Sequence, residues 1–166
     1  MKEEPIRLVV RLIRENLRLD QEHVVTYNQT LPIPPDDGLF VAVGILDSKP
    51  YAGSLKYNQI ADGLEEEQTV NVREILSLHF MSKSNEARKR RPEFVFALTG
   101  FRAEQLQDAN GFLIGKLPVG LVDSSITEGA DRLNRYTLTV AVLYAQGRRG
   151  PVEFFESYPT QLVTQA

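Results

Sequence analysis

The chain contains no cysteine, which excludes disulfides, thiolate chemistry and cysteine-ligated metal sites together and points to a reducing compartment. Histidine is nearly as scarce. Only His23 and His79 offer an imidazole, they are far apart in sequence, and neither lies in an acid-rich ligand motif. His79 alternates out of the Leu78 and Phe80 pattern and is expected at the surface. No long apolar run is present. Lys2, Glu3 and Glu4 open the chain and charges interrupt the apolar residues through Arg18, so neither a signal peptide nor a membrane span is expected. Charge of one sign is also missing: the net charge is −3, so a contact with nucleic acid or anionic lipid would need a local patch. Internal repeats, linkers and low-complexity tracts are absent as well.

What is there is ordinary globular composition, with 42% hydrophobic and 25% charged residues over 166 positions, enough for one domain with its own core. The clearest single stretch is Asp131 to Tyr144. Tyr136, Leu138, Val140, Val142 and Tyr144 share one side of a period-2 ribbon, and Thr137, Thr139 and Ala141 share the other. This predicts a strand that forms the scaffold of an α+β domain.

From the amino terminus, Pro5 starts a helix through about Leu19. Ile6, Val9, Val10, Ile13 and Leu17 form its apolar stripe, and Arg7, Arg11, Arg14 and Arg18 give it a basic outer face. His23 to Tyr27 is a short strand. The following Asn28 to Gly38, with three prolines and Asp36-Asp37-Gly38, is a turn-forming loop. Leu39 to Leu46 is apolar on both faces, as expected of a central strand covered on both sides, and Lys49-Pro50 and Gly53 are expected to end it. Tyr51 to Gly63 reads as a weak strand or loop.

Glu65 to Met81 is a second strong strand, with Val70, Val72, Leu76, Leu78 and Phe80 on one face and Glu74 the exception among them. It outruns the usual strand length, so it is expected to project from the body or bend. Ser84-Asn85-Glu86 begins helical structure, with a second start at Pro92, and Ala103 to Ala109 forms one more turn ended by Asn110-Gly111. Phe112 to Lys116 and Leu121 to Ile126 are short strands. Gln146 to Gly150 is expected as a loop leading into a hairpin strand Val152 to Tyr158, with Thr160 to Ala166 as a loose tail.

Catalytic motifs are not supported. Gly111 to Lys116 is one residue too short for a phosphate loop, with Leu117 where a serine or threonine belongs, and no nucleophile elbow is present. No cofactor is expected. Two charge runs remain, Glu65-Glu66-Glu67 and Arg88-Lys89-Arg90-Arg91. Each reads as a solvated face. The alternatives are a phosphate contact by the basic run, or the two runs meeting across a repeated subunit interface.

The layout resembles the tail terminator and head-to-tail joining proteins of tailed bacteriophages. The residues that carry the resemblance are Val24 to Pro35, VVTYNQTLPIPP, leading into Leu39 to Ile45, and Asp123-Ser124-Ser125 followed by Asp131 to Tyr144. It extends over roughly Pro5 to Tyr144. The resemblance implies a single α+β domain whose mixed, mainly antiparallel sheet packs on two or three helices, with a long projecting hairpin. It also implies a structural virion protein, not an enzyme, that forms a ring, commonly a hexamer, at the head-tail junction. Its partners would be further copies of itself, the tail tube protein and the head connector, with DNA passing through the lumen without sequence-specific binding and no membrane involved. The Glu65 to Met81 strand and the added Val152 to Tyr158 strand depart from a minimal version, which leaves a head-closure protein as the alternative neck component. A small nucleic-acid-binding module using the helix arginines or Arg88 to Arg91 is the alternative of another class.

Subunit contacts are expected at Glu65, Glu66, Glu67, Arg88, Arg90 and Arg91. Contacts with partner rings are expected at two hairpin tips, Lys49 to Gly53 including Tyr51, and Gln146 to Gly150 including Arg148 and Arg149.

Overall fold

Period-2 alternation dominates the long strands, and the fold follows from what covers each side of them. The computed structural model describes residues 3–61, 63–118, 120–128 and 131–152. Helix α1 (Pro5–Leu17) is followed by a 3-10 turn (Gln21–His23), then β1 (Val24–Tyr27), β2 (Phe40–Ile60) and β3 (Gly63–Ser82). Next come α2 (Glu86–Lys89), α3 (Arg91–Thr99) and α4 (Phe101–Asn110), and finally β4 (Phe112–Ile114), β5 (Val122–Asp123), β6 (Ile126–Glu128) and β7 (Asp131–Pro151). They make one mixed sheet of order β1-β2-β3-β7-β4, with β5 and β6 also on β7. Only β1 and β2 are parallel; the other pairings are antiparallel.

The helices cover one face. Leu76, Leu78 and Phe80 of β3 and Tyr136, Leu138, Val140 and Val142 of β7 are buried there against Leu8, Val9, Leu12 and Ile13 of α1 and Phe94 and Leu98 of α3. Phe80 and Phe94 stack with ring centroids 4.8 Å apart. Each fully buried side chain of this size contributes roughly 1.5–3 kcal/mol before its entropy is set against it. The helical layer is pinned at one corner by Arg90, whose guanidinium donates to the Leu17 carbonyl at 2.8 Å and pairs with Glu93. Helix α1 stops two residues short of Leu19, because Arg18 adopts a left-handed conformation at φ 53°. The second start holds: Arg90 separates α2 from α3, with proline in the first turn of α3. Its neighbour α4 is longer than one turn, beginning at Phe101 and ending on Gly111 in the left-handed region, where glycine carries no Cβ penalty.

The opposite face is only partly covered. Phe40, Ala42 and Met81 form a small second cluster under Val25, Tyr27, Leu31 and Leu133, so the proline-rich loop lies over the sheet there.

The long strand expected at Glu65 to Met81 is present as β3, while β2 and β7 correct the sequence reading. Lys49-Pro50 and Gly53 do not break β2, which runs on to Ile60; the irregularities appear instead as register shifts between Ile45 and Asp47 and between Pro50 and Ala52. Past the second shift, Ala52 to Ile60 is regular strand, paired with Gly63 to Asn71. The Gln146 to Gly150 stretch is not a loop but strand, paired residue for residue with Glu66 to Val70. The Leu121 to Ile126 strand is split into β5 and β6. Most of the expected hairpin strand Val152 to Tyr158, and the tail after it, lie outside the described residues.

Candidate functional site

Strands β2 and β7 run 21 residues each and β3 runs 20, so each spans roughly 65–70 Å at the usual rise. That exceeds what the helical layer covers. Strand β1 pairs with β2 only at Val41 to Gly44, and β4 meets β7 only at Tyr144, Leu143 and Val142. Beyond those points β2, β3 and β7 continue as an arm with no further strand or helix on it among the described residues, and every β2 residue from Ser48 to Ile60 is exposed there. The expected projection of the long strand is therefore present, and it takes two further strands with it.

Register gives the arm two unlike faces. On one, Glu67 accepts from Arg149 at 2.9 Å and from Asn58 at 3.4 Å, with Glu65 also near Arg149 at 3.8 Å. This pairing holds the Glu67 carboxyl below its ordinary range, and its chief cause is the Arg149 guanidinium. The other face continues the side that the helices cover in the body: Pro50, Leu55, Tyr57, Leu64, Val70 and Val72, with Glu66, Gln68 and Arg148 among them. Leu55 and Tyr57 are 50% and 56% exposed, which is unusual for such side chains at successive positions on one face.

The sequence-predicted contact residues are distributed accordingly. Glu65, Glu66, Glu67, Arg148 and Arg149 come together on the arm. Arg88, Arg90 and Arg91 sit at the far end of β3 and do not meet the acidic run within the chain. Arg90 is committed to Leu17 and Glu93, and the Arg91 guanidinium lies 4.9 Å from the Tyr136 ring centroid. Arg88 and Lys89 are exposed. Lys49 and Tyr51 are not at a hairpin tip: Lys49 pairs with Asp47 along the arm, Tyr51 is the unpaired residue at a register shift, and the tip is where Ile60 faces Gly63. Likewise Arg148 and Arg149 lie on a strand flank.

At the base of the arm, between its apolar face and the body, is a concavity of about 1180 Å³. Ile6, Pro50, Val70, Val72, Phe112 and Tyr144 line it, with the exposed Glu3, Glu4 and Arg148 and, the most buried of its charged groups, Glu74 at its floor. Glu74 is 9% exposed, and its Oε1 accepts from the Tyr144 hydroxyl at 2.7 Å and from Ser48 Oγ at 3.3 Å. Burial, and then this carboxylate, push the Tyr144 hydroxyl well above its ordinary value. Glu74 was visible in the sequence as the one acid in an apolar alternation on a strand expected to project or bend, but the sequence did not show where along it the helical cover stops.

His79 corrects a second expectation. It does face away from the helices, yet it is not a bare surface residue: its Nε2 lies 2.8 Å from the Tyr27 hydroxyl and 3.0 Å from Ser77 Oγ, and its Nδ1 lies 3.2 Å from Thr137 Oγ1. Burial, and secondarily Arg135, hold its pKa below the ordinary value. Tyr27 packs over Gly44, where an added Cβ would stand 2.6 Å from the ring. Among the described residues the side-chain partners of the imidazole are all hydroxyls. His23 pairs with Asp36 at 3.0 Å, and Asp36 also accepts from the Gly38 N–H, which makes this pair a clasp of the loop turn.

Among the described residues no helix is long and apolar enough to cross a membrane, and no group of three or more metal-ligating side chains converges. No protein-family model matches the sequence, and no curated protein matches it either.

Proposed function

We propose that this chain is a structural subunit of a ring at the head-tail junction of a tailed bacteriophage, where it terminates the tail tube and joins it to the head connector. The observation that carries the reading is the arm. Among the described residues, three strands extend past the helical layer with Leu55 and Tyr57 exposed on one face, and both outer strands present unpaired edges. Such a surface is costly to leave in water and prone to edge pairing, so its natural use is contact with another protein chain.

Ring closure requires a heterologous contact repeated about an axis. A closed ring presenting one face to the tube and the other to the connector stops polymerisation because it offers no further tube-like surface. DNA would pass through the lumen without being read. Free positive charge for a nucleic-acid-binding module is reduced on α1, since Arg7 and Arg11 pair with Glu4 and Glu3.

The test is to add the purified chain to polymerising tail tube protein and measure tube lengths and ends by negative-stain electron microscopy. Rings seated on tube ends and a shift to short, capped tubes are expected. Tubes that lengthen unchanged, together with a chain that stays monomeric beside its tube partner, would contradict the reading.

A further inference from the structure

The carboxylate at the base of the arm lacks a counter-charge. Glu74 is nine-tenths buried at the floor of the concavity, its two hydroxyl contacts both fall on Oε1, and no cationic side chain among the described residues pairs with it. A buried carboxylate without a cation is an unfavourable arrangement unless something supplies one. At the far end of the same strand, Arg88 and Lys89 of α2 are exposed and make no ion pair among the described residues. The walls above Glu74, formed by Pro50, Val70, Val72 and Tyr144, suit the aliphatic stems of such side chains, with the charged head reaching the floor.

We propose that the basic turn of one copy, through Arg88 and Lys89, docks in the arm-base concavity of the next, with Glu74 as counter-ion. The basic turn that docks there comes from a second copy. From Glu74 to Ser82, where β3 ends, the strand covers about 26 Å, several times the reach of an arginine side chain, so a chain's own Arg88 and Lys89 cannot reach its concavity, and its Arg148, which lines the concavity, makes no ion pair with Glu74. Different patches meet in such a contact, which makes it heterologous and able to close a ring. This inference rests on the ring reading and replaces the acidic partner expected from sequence: Glu65 and Glu67 are matched within the chain by Arg149, whereas Glu74 is not.

Size sets the expected behaviour. The arm from Gly63 to Val72 offers roughly 33 Å by 14 Å, about 450 Å² in projection, against the 800 Å² or so that each partner gives to a standard interface. A lone pair of copies is therefore weak, and a closed ring, in which every copy makes two contacts, is the stable species.

The absence of native cysteine makes a direct test available. Arg88→Cys and Gln146→Cys introduced together in the full chain, then oxidised, are expected to give a ladder of cross-linked multimers, with neither single variant giving more than dimers. Arg88→Glu with Lys89→Glu is expected to weaken association in sedimentation at least tenfold, about the effect of losing one close interfacial charge pair. Glu74→Gln, which keeps the acceptor for Tyr144, is expected to act in the same direction while thermal melting shows it folded. If the wild-type chain forms rings but the ladder is absent and the charge reversal leaves the rings intact, this contact is wrong and the ring reading stands. If the wild-type chain is monomeric both alone and with tube protein, both are wrong.

Discussion

Two leucines on the same side of the sheet separate what holds this protein together from what it offers outward. Leu138 is 2% exposed in the body, and Leu55 is 50% exposed on the arm. Truncating Leu138 to alanine removes three carbons from a packed site. The transfer loss is about 2.4 kcal/mol at roughly 0.8 per methylene, and the cavity left behind raises it to about 3–4 kcal/mol. Truncating Leu55 removes the same atoms from a half-solvated site that water refills, so the cost is about 1 kcal/mol or less. At about 2–4 °C per kcal/mol for a chain of this size, Leu138→Ala lowers the melting temperature by roughly 6–16 °C and Leu55→Ala by at most about 4 °C. Urea titration and calorimetry at concentrations too low for association measure both. Association reverses the order: per folded molecule, Leu55→Ala weakens it and Leu138→Ala does not. Equal destabilisation by the two changes would mean that the arm is part of the cooperative core of the isolated chain, and the assignment of the arm to assembly would fail.

Further outcomes follow from the same geometry. Val140→Asp places an unpaired charge at a 2% exposed position and is expected to unfold the subunit, by several kcal/mol, as a soluble-fraction and circular dichroism assay would show. Gly44→Ala drives a Cβ into the Tyr27 ring and is expected to cost about 1–3 kcal/mol in a urea titration while releasing the Tyr27 contact to His79. Tyr144→Phe removes the 2.7 Å donor from a buried carboxylate and is expected to cost about 1–2 kcal/mol, measured the same way. Because the folded protein holds His79 below its ordinary value of 6.5, the unfolded chain takes up that proton first as the medium is acidified. Stability then falls as pH drops below about 6.5 and levels off under the folded-state value, and His79→Gln removes that component from a pH series of melting temperatures.

Much of the body is legible in the sequence because burial on one side imposes a period. The Tyr136 to Val142 stripe and a second helix start, at Arg91 with Pro92 in its first turn, follow from that and are present; the α1 stripe is present at Ile6, Val9, Ile13 and Leu17, but Leu8 and Leu12 are buried with them and the expected Val10 is only half-buried. The arm is less legible for the same physical reason. Its strands are solvated on both faces, so no alternation marks Tyr51 to Ile60 or Gln146 to Gly150, and their conformation is set by pairing with β3 more than by their own residues. Pro50 looked like a breaker, but on an edge strand a missing N–H costs little, and a register shift absorbs the rest. His79 was placed on the correct side of β3; the sequence could not show that Tyr27 and the proline-rich loop fold back over that side. For the candidate site, the charge runs were visible as runs, while their pairing was not. Arg149 reaches Glu67 only because two segments distant in sequence lie in register, and Glu74 shares its concavity with Tyr144 because β3 and β7 lie side by side there.

The most direct measurement is the mass of the full chain in solution by light scattering, alone and with tail tube protein, over a wide concentration range. A closed-ring subunit gives a discrete multiple of 18.7 kDa, six-fold for a hexamer, with no stable dimer on the way. A mass of 18.7 kDa at every concentration, unchanged by the tube protein, would contradict assembly as the purpose of the arm.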